Sequence, residues 1–376
     1  MPSSTRRRTA IGIDLRGLVG TPTGIGYYTL ALLTELARSS DLRLVGMAHR
    51  PPQHADELAA AGVEIEVRRA PSGVLWQQFV VPRRLALGDL DLFWSPLLTL
   101  PLDLPVPGVA TIHDLTPLLY PETHRFKVRW SILPFLGRTL AIAARVVTDS
   151  EATARDLERY YPECSARLEV IYPGVDPIFR PASPDELAAI RRDLDMPDGY
   201  LLYSGTLEPR KNLDLLLDAW EAAREVAPDT LPLVLTGPAG WSGKAFFRRL
   251  ESLGPQGVRW LGRLERRRLV EVMQAARWFV YPSIAEGFGL PVAEAMASGV
   301  PPIVSSSSSL PEIVGAAGLT IDPYDETDLA ALFASLPDRT DEERDLATRA
   351  VERAARFSWP EAASELRRVF RTAASV

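Results

Sequence analysis

Tyr281-Pro-Ser-Ile-Ala-Glu286-Gly-Phe-Gly-Leu-Pro-Val-Ala-Glu294-Ala-Met-Ala-Ser-Gly299 continues an apolar run, Trp278-Phe279-Val280. The run reads as a buried strand, Trp278–Tyr281, and Ser283 to Gly289 as a polar turn. A short helix then opens with Pro291 in its first turn and stops at Gly299. Two carboxylates, Glu286 and Glu294, lie eight residues apart across this turn. Gly287 and Gly289 let backbone approach a ligand, and the unpaired N–H groups of a helix start suit an anion. Glu294, about one turn into the helix, is placed to accept two hydrogen bonds from vicinal hydroxyls. Strand, loop and helix together read as a seat for something both phosphorylated and polyhydroxylated. On spacing alone, a surface turn with two solvated glutamates explains the stretch equally well.

Resemblance separates the two readings. The segment resembles the Glu-x7-Glu motif of retaining nucleotide-sugar glycosyltransferases of family 4 (glycosyltransferase group 1), with Glu286, Gly287-Phe288-Gly289-Leu290 and Glu294 in the family's form. The resemblance implies that Glu286 contacts the donor sugar and Glu294 the ribose. It also implies a GT-B fold, two doubly wound Rossmann-like α/β domains facing across a cleft.

Working outward, strands are expected at Ala10–Asp14, Leu42–Ala48, Val63–Val67, Asp91–Ser95, Val109–His113, Val146–Ser150 and Leu168–Tyr172. A second set follows at Tyr200–Ser204, Leu233–Thr236, Val258–Leu261, Trp278–Tyr281, Pro302–Ser305 and Leu319–Ile321. Strands alternating with helical stretches imply parallel sheets covered on both faces. Pro173-Gly174-Val175-Asp176-Pro177, with Pro181 and Pro184 behind it, breaks the alternation and reads as a linker. The expected domains are 1–173, an acceptor-binding domain, and 174–356, a donor-binding domain. A closing helix over 357–376, capped by Ser358 with Pro360 near its start, should cross back to the first domain.

Three further stretches carry chemistry. Gly205-Thr206-Leu207-Glu208-Pro209-Arg210-Lys211-Asn212 places two adjacent cations at the entry to an amphipathic helix (Leu213, Leu216, Leu217, Trp220). Such an entry suits a diphosphate, although solvated basic residues explain it too. It resembles the family's Gly-Arg-x-x-x-x-Lys donor-phosphate motif, with Lys211 on the Lys. Thr206 departs from the family's Arg, a charge that Arg210 can supply. Gly24-Ile25-Gly26, in a loop ahead of a helix expected from Tyr27, fits the family's Gly-x-Gly beside diphosphate and acceptor. Its spacing is not that of a dinucleotide fingerprint. Thr111-Ile112-His113-Asp114 ends a strand, where a His faces the ligand-binding edge of a doubly wound sheet. The resemblance puts His113 beside transferred sugar and acceptor, with Asp114 orienting its ring or meeting an acceptor hydroxyl. A polar loop pairing His113 with Asp114 is the structural alternative. Ser305 to Ser309 reads as a βα loop facing the cleft.

Composition bounds what remains. The 376 residues suit two domains, and 46% hydrophobic with 24% charged residues is globular. One cysteine, Cys164, permits no internal disulfide, and four histidines lack metal-ligand spacing. No metal and no cofactor is expected. Asp89-Leu90-Asp91 and Asp193-Leu194-Asp195 resemble metal-binding triplets but read as ordinary surface charge. Net charge is +1 over residues 1–172 and −7 over the rest, which gives no reason to expect nucleic acid. Without an apolar span or leader, a cytoplasmic protein is expected. Arg6-Arg7-Arg8 reads as a disordered tail. His124-Arg125-Phe126-Lys127-Val128-Arg129-Trp130 mixes cations and aromatics, as a peripheral contact with the inner face of the plasma membrane would. A solvated helix with Phe126 and Trp130 turned inward is the plainer reading.

The expected activity is transfer of a hexose from a nucleotide-sugar donor to a glycan or lipid-linked acceptor. Mannose from GDP-mannose is favoured, because the two motifs look like those of mannosyltransferases of surface-polysaccharide assembly. His113, Glu286, Arg210 and Lys211 would carry it. UDP-glucose, UDP-galactose or dTDP-rhamnose as donor, a sugar-nucleotide epimerase, and a non-catalytic sugar-nucleotide-binding protein are the alternatives. A pyridoxal-phosphate glycan phosphorylase fits poorly, because of three lysines Lys211 already has a phosphate role.

Overall fold

In a computed structural model, residues 8–20, 24–124, 126–194 and 196–375 are described. The chain divides into two compact units, residues 1–174 with 358–376, and residues 175–357.

The first unit is built on seven parallel strands: β1 Thr9–Asp14, β2 Leu42–Ala48, β3 Glu64–Val67, β4 Leu92–Ser95, β5 Gly108–Ile112, β6 Arg145–Thr148 and β7 Leu168–Val170. Their order is β3-β2-β1-β4-β5-β6-β7. β1, β4 and β5 are almost wholly buried, which is why they read as near-continuous apolar runs. Strand order reverses beside β1, so residues just past the carboxyl ends of β1, β4 and β5 lie where such sheets bind ligands.

The helix expected from Tyr27 starts earlier, spanning Gly24–Leu36. Gly24 and Gly26 therefore lie in its first turn and not in a loop before it. First-turn N–H groups have no intrahelical partner, so glycine there costs less than in a helix interior. Thr21, Pro22 and Thr23 lie outside the described residues, as do Arg6 and Arg7.

The last helix, Trp359–Ala373, belongs to this unit. Ser358 caps it by accepting from the Glu361 N–H, and Pro360 occupies its first turn. Leu366, Val369, Phe370 and Ala373 form its fully buried stripe, with Phe370 tilted on Trp94 at 5.6 Å. Arg367 and Arg371 pair with Asp41, and Arg368 with Glu169. Gly174 lies so close to the Trp359 backbone that a Cβ would collide with it, which fixes glycine at this point of the chain.

The second unit carries six parallel strands: β8 Leu201–Ser204, β9 Leu233–Thr236, β10 Val258–Trp260, β11 Trp278–Tyr281, β12 Pro302–Ser305 and β13 Leu319–Ile321. The order is β10-β9-β8-β11-β12-β13, reversing between β8 and β11. Both motifs of this half follow those two strands and so share one sheet edge.

The described members of the Asp-x-Asp triplets are tied up locally. Asp89 pairs with Arg84 and Arg43, and Asp91 accepts from the Ala10 N–H. Asp193 pairs with Arg268, while Asp195 lies outside the described residues. Of the cation-aromatic stretch, Arg125 lies outside the described residues, and 126–130 open the helix Phe126–Ile142. No described helix is long and apolar enough to cross a membrane.

Candidate active site

Past β8, Gly205 and Thr206 lead into a single 3-10 turn, Pro209–Lys211, and then the helix Leu213–Val226. Past β11, the Glu286 loop leads to the helix Leu290–Ala297. Gly289 caps that helix at φ 100°, and a Cβ there would come within 2.8 Å of Leu310. Only glycine meets both conditions at low cost.

These turns bring Glu286, Lys211 and Arg210 together in a largely buried cluster. Lys211 Nζ lies 2.6 Å from Glu286 Oε1 and 2.7 Å from the Tyr281 hydroxyl. Arg210 Nη1 lies 3.0 Å from Glu286 Oε1, and its Nη2 lies 2.7 Å from Glu208 Oε1. Arg210 also donates to the Ala285 carbonyl. Two cations thus face two carboxylates with no formal excess charge. Burial by itself would raise Glu286, but Arg210 and Lys211 outweigh it and hold the carboxyl at about 2. Burial lowers Lys211, helped by Arg210 and opposed by Glu286 and Glu208.

The serine run supports this loop. Ser309 Oγ donates to the Glu286 and Phe288 carbonyls at 3.0 Å each, and Ser308 Oγ accepts from the Glu286 N–H at 2.7 Å. Ser305 Oγ donates to the Ser283 carbonyl, and the Ser283 hydroxyl donates to Glu286. A repeat that reads as low complexity therefore fixes the Glu286 loop. The Phe288 ring turns inward, edge-on to Phe357 at 5.2 Å, so what Phe288 offers a ligand is backbone.

Glu294 has a different setting. It sits on the helix beside Arg266, whose Nη2 is 3.6 Å from Glu294 Oε1 and 3.0 Å from Asp176 Oδ2. Burial pushes Glu294 up to about 7; Arg266 offsets this in part and Asp176 adds to it. One loop and one helix thus hold one carboxylate far below its ordinary range and another far above it. Carboxylates whose surroundings push them apart in this way cluster at functional sites.

In the first unit, His113 follows β5 and is buried. Its Nδ1 lies 2.5 Å from Asp149 Oδ2 and its Nε2 2.9 Å from the Pro96 carbonyl oxygen. Tyr28 meets it edge-on at 5.0 Å. The expected partner, Asp114, instead accepts from Thr116 N–H (2.8 Å) and Thr116 Oγ1 (2.6 Å), closing a turn two residues ahead. The carboxylate bonded to the ring is thus that of Asp149, while Asp114 Oδ1 is taken by Thr116. The register could have shown it. Ile112 pairs with Thr148, so His113 and Asp149 are the next residues of neighbouring strands.

Sequence comparison matches residues 188–354 to the family model described as glycosyl transferases group 1. Residues 22–179 match that of glycosyltransferase family 4. The chain is 33% identical over 357 residues to the O-antigen chain mannosyltransferase B of Escherichia coli, covering 90% of this chain and 93% of that protein. It is also 33% identical over 225 residues to the D-inositol 3-phosphate glycosyltransferase of Mycolicibacterium smegmatis, over 58% of this chain and half of that one. Among solved structures, Anabaena HepE in complex with UDP and glucose aligns with a TM-score of 0.75 at 19% identity, covering 98% of this chain and 100% of that one. WaaG, a glycosyltransferase involved in lipopolysaccharide biosynthesis, aligns at 0.72 and 16%, covering 95% and 99%. At such identities the structural likeness speaks for the fold, which is GT-B. Together with the family matches and the near-full-length mannosyltransferase relative, it makes this chain a member of the family 4, group 1 glycosyltransferases.

Proposed function

We propose that this glycosyltransferase moves a hexose, mannose from GDP-mannose, to a hydroxyl of a glycan or lipid-linked acceptor with retention of anomeric configuration. The observation that carries the reading is the buried Glu286–Lys211–Arg210 cluster, with Glu294 on the helix that the Glu286 loop leads into. The choice of mannose rests on the relative that is itself named a mannosyltransferase.

The second domain is assigned to the donor and the first to the acceptor. The diphosphate takes Lys211 and Arg210, displacing Glu286 toward the sugar hydroxyls, with Gly205, Thr206 and the backbone of Gly287 to Leu290 lining the approach. Each strong donor aimed at the departing phosphate contributes about 3 kcal/mol to the transition state. Glu294 holds the ribose. Retention in this family implies that the incoming hydroxyl attacks from the face the nucleotide leaves, assisted by the leaving phosphate. A working place in the cytoplasm, peripheral to the membrane where a lipid-linked acceptor resides, belongs to the same proposal.

The test is a donor screen with lipid-linked and free glycan acceptors, read by released nucleoside diphosphate and by the anomeric coupling in the product. Mannose transfer from GDP-mannose with the configuration kept supports the reading. Preference for a UDP- or dTDP-sugar changes the donor. Free isomerised nucleotide sugar, or binding without release under any acceptor, replaces the reading with an epimerase or a binding protein.

A further inference from the structure

His113 is enclosed by acceptors. Asp149 and the Pro96 carbonyl oxygen take its two ring nitrogens, and the other groups against it are Tyr28, from the helix Gly24–Leu36, and Asp114, next in the chain. A carbonyl can only accept, so Nε2 must carry a proton. At 2.5 Å, Nδ1 and Asp149 Oδ2 share another, whichever atom holds it. The ring is left without a lone pair to take a proton from an acceptor hydroxyl. Asp149 is itself 5% exposed, and its second oxygen, Oδ1, is buried with no hydrogen-bond partner among the described residues. A ring stripped of either proton would set a nitrogen lone pair against an oxygen lone pair, at Asp149 or at Pro96.

We propose that Asp149 is a positioning residue which fixes His113 as a proton-bearing ring with both nitrogens engaged, so that His113 serves transfer as an electrostatic element and not as a general base. Burial alone would lower the His113 pKa, and the Asp149 charge and hydrogen bond more than reverse it, in the same sense as the geometry. The proton of the incoming hydroxyl must then leave by another route, and the departing phosphate oxygen is the base that the proposed transfer supplies. That last step rests on the glycosyl-transfer reading; the state of the ring does not.

The full chain, labelled with 15N at its four histidines, is titrated by NMR from about pH 5.5 to 8.5, spanning an ordinary histidine. His113→Gln assigns the signal. Nε2 should stay proton-bearing and Nδ1 hydrogen-bonded through the ordinary histidine range, with no transition near the ordinary value, while in Asp149→Asn the ring should titrate within it. The same variant should lose about ten- to a hundredfold in kcat with little change in donor KM, the loss deepening as pH rises. Asp149→Glu, which keeps the charge, should recover part of it. A wild-type ring that loses a proton near its ordinary value overturns the proposal even if Asp149→Asn fails to fold. An unchanged His113 spectrum in Asp149→Asn does the same. If the ring behaves as expected but no nucleotide sugar is turned over, positioning stands and the transferase reading falls.

Discussion

Glu294 and Glu286 give up their protons under opposite pressures, and each pressure has a measurable sign. The fold raises Glu294 from an ordinary 4.5 to about 7. Between those values the unfolded chain releases a proton that the folded chain keeps, so stability falls as pH rises and the full cost is present above 7. Glu294→Gln removes that cost. Denaturant unfolding should find the variant about 1–3 kcal/mol more stable than wild type at pH 8, with the difference vanishing toward pH 5. A variant less stable at pH 8 would mean that Arg266 needs the charge. Glu286, held at about 2, contributes stability above its ordinary 4.5 that is lost as pH falls toward 2. Glu286→Gln should therefore destabilise at neutral pH, since Lys211 and Arg210 lose their counter-charge. Kinetics divide the pair differently. The ribose does not change during reaction, so Glu294→Gln should raise donor KM more than it lowers kcat. Glu286 faces the changing sugar, so Glu286→Gln, once shown to unfold cooperatively, should lower kcat more than it raises KM. Wild-type kinetics in both would make them structural carboxylates. The sequence exposed both glutamates and both cations because each pair sits within a contiguous motif. It hid Asp149, which reaches His113 only through the register of two strands, and it offered Asp114 in its place because neighbours in sequence are the easier pair to see.

At the scale of elements, most of the thirteen described strands were legible as short apolar runs closed by turn residues, while β3, Glu-Ile-Glu-Val, is not apolar. The start of the helix Gly24–Leu36 was not legible, since its glycines resemble a loop and only tertiary packing shows that they are helical. The serine loop was placed correctly after β12, but its task was invisible. Ser309 matters through two carbonyls of another loop, a contact no local pattern encodes. Ser309→Ala should cost about 1–2 kcal/mol of stability by leaving two buried carbonyls without that donor. It should also lower kcat, because Glu286 loses the fixed backbone that aims it. Unchanged kcat beside a loss of stability would reduce the loop to packing.

For the whole molecule, the closing helix is as much a part of the first domain as any strand, although it follows the entire second domain in sequence. Its buried stripe, Leu366, Val369, Phe370 and Ala373, packs where Trp94 would otherwise be exposed. A chain ended at Phe357 should lose cooperative unfolding of the first domain and become protease-sensitive there, which limited proteolysis reads directly. EDTA should leave transfer nearly unchanged, since Asp89, Asp91 and Asp193 are spent on arginines and a backbone amide. Restoration of a lost activity by manganese would reopen them. The donor site itself is tested without knowing the acceptor, by hydrogen exchange of the full chain with and without saturating GDP-mannose. Protection should concentrate in residues 205–213, 283–294 and 305–310, and weaken in Glu294→Gln at equal ligand. Binding that protects other segments and leaves these three unchanged would contradict the site, and with it the reading of this chain's chemistry.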